Sequence, residues 1–182
     1  MRYRLSMADD PNDQASGGRE PSADEAYYAG LDKVLAGTGA FLTDPYDRVL
    51  LVKPNYRDHW GWPGGNVDAE ETPEAACARE IREELGLTPP VGRLLVVHWV
   101  PVLPDRPYPL VHFLFDCGVV SDAESIVLQE EELDGFGFFT ADEADSMMPP
   151  YLVHRLRAAI EARRDGSTAY LSPSPVGTSV GG

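Results

Sequence analysis

The chain has 182 residues, 43% of them hydrophobic, enough for one domain with a sizeable core. Asp and Glu number 30 against 15 Lys and Arg, a net charge of −15. Such a surface repels nucleic-acid backbones and anionic lipid, so neither nucleic acid nor membrane is expected as a partner. A small phosphorylated ligand would be repelled too, unless a cation or local Lys and Arg reverse the field at its site.

The N-terminal stretch MRYRLSMADDPNDQ turns polar at once and carries no apolar signal-peptide core. No apolar run approaches the roughly 20 residues that span a bilayer. The two cysteines, Cys77 and Cys117, lack metal-site spacing and read as reduced, packed thiols, which together with the polar start predicts a cytoplasmic protein. Residues 1–26, rich in Asp, Ser, Gly and Pro, are expected to be a disordered leader. Residues 27–164 carry the folded domain, and 165–182 form a flexible tail in which Tyr170 and Leu171 are candidates for local docking.

Within the domain, 33–42 reads as a strand that ends at the turn formers Thr43-Asp44-Pro45, and 49–52 as a short strand buried on both faces. Pro63-Gly64-Gly65 breaks the chain before a helix over Pro73–Leu85. Residues 94–102 and 110–120 read as strands joined by a proline-rich connection, 103–109, and 136–139 as a short aromatic strand. Residues 151–164 form a second helix, with Leu152, Leu156, Ala159 and Ile160 on one stripe and charges opposite. Strands interleaved with two helices predict an α/β layered domain.

The first of these helices has clear punctuation: Thr72 suits the N-cap, Pro73 the first turn and Gly86 a left-handed stop. At about 100° per residue, Ala75, Ala78, Ile81 and Leu85 fall on one side, expected to be buried, while Glu80, Glu83 and Glu84 share the opposite one. Like charges at such spacing disfavour a helix by a few tenths of a kcal/mol per pair. A solvated acidic face accounts for the three glutamates taken alone. A divalent cation would offset their repulsion, and carboxylates without paired His or Cys point to a hard ion, Mg²⁺ or Mn²⁺.

From Gly65 the chain reads GNVDAEETPEAACAREIREELGL. This resembles the Nudix box, with Gly65, Glu71, Arg79, Glu80, Ile81, Glu83, Glu84, Gly86 and Leu87 at its fixed positions, and Trp60-Gly61-Trp62-Pro63-Gly64-Gly65 resembles the family's lead-in. The resemblance implies an α/β/α sandwich around a mixed β-sheet. It also implies a pyrophosphatase that splits a nucleoside diphosphate linked to a group X into a nucleoside monophosphate and phosphorylated X, with Mg²⁺ or Mn²⁺ as cofactor. Carried over position by position, Glu80 and Glu84 would be the principal metal ligands, with Glu83 a further ligand or the base. The Gly64-Gly65 backbone would approach phosphates and metal, where a bulky side chain would block them. Glu71 and Arg79 would stand behind the ligands and orient their carboxylates. Relatives often recruit one more glutamate from a later loop, and in Gln129-Glu130-Glu131-Glu132-Leu133 the choice is Glu132, as ligand or base.

A small nucleotide with a diphosphate is the expected partner, and its remaining charge needs cations, for which Lys53, Arg57 and Arg106 are candidates. Tyr56, Trp60 and Tyr108 are placed to stack on a base, while Trp99 reads as core and His98 and His112 as structural. ADP-ribose or another sugar nucleotide and a (d)NTP stand equal as substrates, and dimers are common among resembling proteins, which leaves a homodimer open. Three other readings are disfavoured. A non-catalytic nucleotide-sensing Nudix domain usually lacks box carboxylates, and none is missing. An isoprenoid-diphosphate isomerase-like enzyme needs extra Cys and Glu groups at its site, whereas Cys77 lies inside the box helix. RNA decapping calls for basic surface, against a net charge of −15.

Overall fold

The computed structural model describes residues 22–173 apart from Asp105, in two units, Met1–Asp32 and Lys33–Gly182. In the first, helix α1 (Ala23–Ala29) opens on a capping box in which Ser22 Oγ accepts the Glu25 N–H and the Glu25 carboxylate accepts the Ser22 N–H. The last residues of the expected leader thus start a helix, and the Ser-x-x-Glu spacing is the sequence cue for it. The rest of the leader, 1–21, and the end of the tail, 174–182, lie outside the described residues.

The second unit is an α/β/α sandwich. Its elements in chain order are β1 (Leu35–Thr43), β2 (Val49–Pro54), α2 (Pro73–Leu85), β3 (Leu94–Val100), β4 (Leu110–Val119), β5 (Leu133–Phe139), α3 (Ala141–Met147), α4 (Pro150–Asp165) and β6 (Ala169–Leu171). They build one mixed sheet in the order β5-β2-β1-β4-β3-β6, with β1/β4 and β3/β6 parallel and the other neighbours antiparallel. Period-two alternation sorts the core into two layers. Phe41, Val49, Leu51 and Leu114 face α4 with its Leu152, Leu156 and Ala159, whereas Ala40, Leu42, Leu50, Val52 and Phe115 face α2 with its Cys77, Ile81 and Leu85. Helices α2 and α4 therefore cover opposite faces. No helix among the described residues is long and apolar enough to cross a membrane.

The predicted elements are all present, with shifted ends. Strand β3 stops at Val100 because Pro101 has no N–H for the ladder. Helix α3 was not predicted; Thr140 and Glu143 start it with a second capping box. Residues Ala169–Leu171, in the expected tail, pair with β3 as the edge strand β6.

Strands β1 and β2 meet only at Thr43 and Val49 and then diverge. The gap is filled by the segment 61–67, which bonds to both. Val52 and Gly61 exchange N–H···O bonds at 2.8 and 3.0 Å on one side. On the other, Ala40 N–H reaches Pro63 O at 2.9 Å, Thr38 N–H reaches Gly65 O at 2.8 Å and Val67 N–H reaches Ala36 O at 3.0 Å. The loop that the prolines and glycines predicted is thus pinned inside a split sheet.

The split starts at a turn organised by Asp44, which is 5% exposed. Its Oδ1 accepts the Tyr46 and Arg48 N–H groups, each at 2.9 Å, and its Oδ2 takes Arg48 Nε at 2.6 Å. Burial pushes the carboxyl up, but the bonds from Arg48 and Tyr46 outweigh it and leave Asp44 below the usual carboxylate value. A depressed folded value stabilises the fold above the unfolded value, and that contribution is lost as pH falls through the folded one. Asp44→Ala should therefore cost about 1–3 kcal/mol at pH 7. The gap from the unsubstituted chain should narrow below about pH 4, as urea melts at the two pH values would show.

Candidate active site

Helix α2 is bounded as the sequence predicts. Thr72 Oγ1 accepts the Ala75 N–H at 3.3 Å, and Gly86 adopts a left-handed φ of 66°. Its orientation differs from the expectation. Ala75 and Ala78 are exposed, and the packed residues are Ala76, Cys77, Ile81, Glu84 and Leu85. Ile81 and Leu85 fit either seating, and alanines carry too little area to choose between them. The helix settles with Thr38 Oγ1 donating to Pro73 O at 3.0 Å and with Cys77 Sγ 3.8 Å from Cys117 Sγ, both thiols free and buried. Glu84 consequently lies on the buried face, Glu80 at its margin and Glu83 outside. The three glutamates are not on a face opposite to the core.

Glu84 is 6% exposed, and Gly64 donates its N–H to Oε2 at 2.8 Å. Burial pushes its carboxyl up to about 8; the Gly64 bond opposes this, and Glu80, Glu132 and Glu83 add to it. Glu80 is also raised by burial, against the pull of Arg79. Arg79 is the hub of the other carboxylates. Its Nη2 donates to Glu71 Oε1 at 2.7 Å and to Asn66 O at 3.1 Å, and its Nη1 donates to Glu80 Oε1 at 2.8 Å and to Glu83 Oε2 at 3.0 Å. Glu71, held below its ordinary value by Arg79 and by the Asp68 N–H, completes the clamp.

The predicted residues do not all converge. The loop before β5 is tied to the end of α2 by Gln129 N–H to Glu84 O at 3.1 Å and Val127 N–H to Leu85 O at 2.9 Å. This brings the exposed Glu132 close enough for its charge to raise both Glu80 and Glu84. Lys53 is not among the residues that line the cavity beside Glu84; its Nζ donates to the backbone carbonyls of Pro54 and Arg57. Arg57 and Tyr56 line the mouth of this cavity of about 590 Å³, whose walls include Gly64, Gly65, Glu84 and Arg106. Trp60 packs edge-on against Phe139, while Trp99 is half-buried outside both core clusters.

Two residues of this cavity were missed in the sequence. Arg155 of α4 is 3% exposed and donates from Nε to His98 Nδ1 at 3.2 Å. Burial and the guanidinium charge lower His98 to about 4, and its Nδ1 accepts from Arg155. The cue for Arg155 is positional, since it stands three residues after Leu152 and one before Leu156, inside the apolar stripe. Trp62 lies beneath the same guanidinium, 5.7 Å from it.

Whether these residues suit a hard cation is tested by Glu84. It is a buried carboxylate with an amide as its one hydrogen-bond donor and no cationic partner among the described residues. Neighbouring carboxylates add all-oxygen donors of the kind Mg²⁺ and Mn²⁺ take. The residues fit. As the side chains stand, no three His, Cys, Asp or Glu among the described residues are set for ligation, since Arg79 draws Glu80 and Glu83 to itself.

The two glycines of the wedge are constrained differently. A Cβ on Gly64, whose φ is +146°, would lie 2.3 Å from Thr38 O and 2.7 Å from Gly39 Cα, whereas one on Gly65 would lie 2.3 Å from Glu80 Oε1. Backbone cannot yield and a carboxylate can swing. Gly64→Ala should cost about 2–4 kcal/mol in thermal or urea melts. Gly65→Ala should cost less than about 1 kcal/mol, with Glu80 displaced.

A family model described as the NUDIX domain matches residues 33–162. Diphosphoinositol polyphosphate phosphohydrolase 2 of Rattus norvegicus is 48% identical over 56 residues, 30% of this chain and 31% of that protein. The chain thus spans about a third of the length of the curated relatives it matches. Among solved structures, a MutT NUDIX hydrolase from Burkholderia pseudomallei superposes with a TM-score of 0.57 at 28% identity, over 71% of this chain and 98% of the other. An ADP-ribose pyrophosphatase from Streptococcus suis gives 0.58 at 23% identity, over 76% and 98%. With the box helix, the glycine wedge and the mixed sheet in place, the chain belongs to the Nudix family.

Proposed function

We propose that the chain is a divalent-metal-dependent pyrophosphatase that cleaves the diphosphate of a small nucleotide, releasing a nucleoside monophosphate and a phosphorylated second product. The observation that carries this reading is the buried Glu84 carboxyl, anchored on the Gly64 N–H at the wall of a ligand-sized cavity and without a cationic partner among the described residues. Burial and the neighbouring carboxylates favour the protonated form of Glu84 in the chain alone, and a bound cation would stabilise the ionised form in its place. Relatives named for ADP-ribose, UDP-linked and diphosphoinositol substrates agree with diphosphate chemistry as the shared element.

Glu80 and Glu84 would hold Mg²⁺ or Mn²⁺, with Glu83 and the Gly65 backbone beside them. When bound, the ion supplies charge stabilisation for the leaving phosphate and a more acidic water. The side chains provide the rest. Glu83, 45% exposed and bound to Arg79 through Oε2, and Glu132, exposed on the loop tied to α2, are the two carboxylates free to take the proton of the attacking water. Arg79 keeps Glu71, Glu80 and Glu83 apart and oriented. Tyr56 and Arg57 at the cavity mouth would meet the nucleotide as it enters.

Glu84→Gln and Glu83→Gln, assayed with Mg²⁺ and then Mn²⁺ on ADP-ribose, sugar nucleotides, dinucleoside polyphosphates and (d)NTPs, should test this. At least one should lose on the order of a thousandfold in kcat/KM, about 4 kcal/mol of transition-state stabilisation, with an unchanged fold. Chelation by EDTA should abolish turnover and added Mg²⁺ or Mn²⁺ restore it. A fully active double substitution would overturn the proposal. Arg79→Lys should retain the fold and lose about 10–100-fold, recovered in part at high metal concentration.

A further inference from the structure

In a chain of net charge −15, the cavity lining is an exception: it carries Arg57, Arg106 and Arg155 against a single carboxylate, Glu84. None of the three arginines is paired with a carboxylate among the described residues. Arg155 is buried against His98 with no carboxylate among the described residues to offset the cost of enclosing its charge. Arg106 is held by its own loop, through reciprocal backbone bonds with Leu103 at 3.1 Å and a bond from Nη2 to Pro101 O at 2.8 Å. Among the described residues its Nη1 is buried with no acceptor, and so is Trp62 Nε1, whose residue is 8% exposed. Arg106 and Arg155 line the same cavity, and the charge of Arg106 bears on Arg155.

Arg155 belongs to the helix on one face of the sheet and Glu84 to the helix on the other, and the cavity reaches both along the glycine wedge. An anion held at Arg155 would approach from the α4 face, and the diphosphate of the hydrolase reading from the α2 face. Gly37 extends the room on the α4 side, since its strand position carries no side chain where it faces His112 and Leu110.

We propose that Arg106 and Arg155, with Trp62 Nε1, form a subsite for a phosphate monoester that the substrate carries apart from its scissile diphosphate. The inference rests on the hydrolase reading for the identity of that diphosphate and on the cavity alone for the second anion. Preferred substrates then bear anionic groups at two separated positions, and a diphosphate without the extra phosphate is handled less well.

Calorimetric titration in EDTA isolates the subsite from catalysis. The probes are 5′-AMP, adenosine 2′,5′-bisphosphate and adenosine 3′,5′-bisphosphate. At least one bisphosphate should bind on the order of tenfold more tightly than AMP. Arg106→Gln should bring it to parity while AMP affinity stays within about threefold. Arg155→Gln should do the same; because Arg155 is buried, circular dichroism melts accompany it, and Arg106→Gln decides alone if that variant does not fold. Equal binding of all three probes, or selectivity retained in Arg106→Gln, overturns the subsite.

A second arm with Mg²⁺ compares NADPH with NADH and coenzyme A with dephospho-coenzyme A. The phosphorylated member should be favoured through KM in the unsubstituted chain and not in Arg106→Gln. Hydrolysis without preference, together with equal probe binding, removes the subsite and leaves the hydrolase. Selective probe binding without hydrolysis of any diphosphate retains the subsite and removes the hydrolase.

Discussion

The site depends on one backbone arrangement, the insertion of residues 61–67 between strands that have separated. Hydrogen bonds from β2 on one side and β1 on the other fix this segment as firmly as a strand, although it is a turn of glycines and a proline. Gly64 is the tightest point. Its φ of +146° and the 2.3 Å that would separate a Cβ from Thr38 O leave glycine as the residue that fits. From that position its N–H meets Glu84, so the geometry of the sheet is passed directly to the buried carboxylate. A pinned loop holds the amide that meets Glu84 with little conformational freedom left to lose.

Around this anchor the electrostatics divide in two. On the α2 side, burial and neighbouring carboxylates raise the proton affinity of Glu80 and Glu84, and Arg79 pairs with Glu71, Glu80 and Glu83 but not with Glu84. On the α4 side, guanidiniums repel one another inside an enclosed wall. Each cluster is unfavourable alone, and each is complementary to a partner of opposite charge, a cation and an anion. A substrate–metal complex carries both. An acidic exterior leaves these interior fields intact because water screens the outer charges far more than the enclosed ones.

Much of this was legible in the residue order. The bounds of α2 follow from Thr72, Pro73 and Gly86, whose backbone effects are local. The box positions were legible for the same reason: its carboxylates and glycines stand at fixed separations along one loop and one helix. Lys53 shows the limit. Its place at the end of a strand suggested a cation for the substrate, but its ammonium is engaged by carbonyls of the following turn, which residue spacing does not reveal. Glu132 was singled out among three adjacent acids, and it is the bonds from Gln129 and Val127 to α2 that bring its loop beside the box helix.

By itself, the sequence determined the α/β class, the helix that carries the carboxylates, the turn that meets it and the family to which both belong. These are local properties, written in caps, breakers and short-range periodicity. The tertiary structure decided which face of α2 is buried, and with it that Glu84 is enclosed while Glu83 is exposed. It also decided that Arg155, on a helix over 70 residues downstream of Glu84, lines the same cavity. Small residues such as Ala75 and Ala78 do not fix a helix rotation. It is set by the sheet that receives the helix, through Thr38, Gly39 and Cys117, and those contacts exist once the strands have paired.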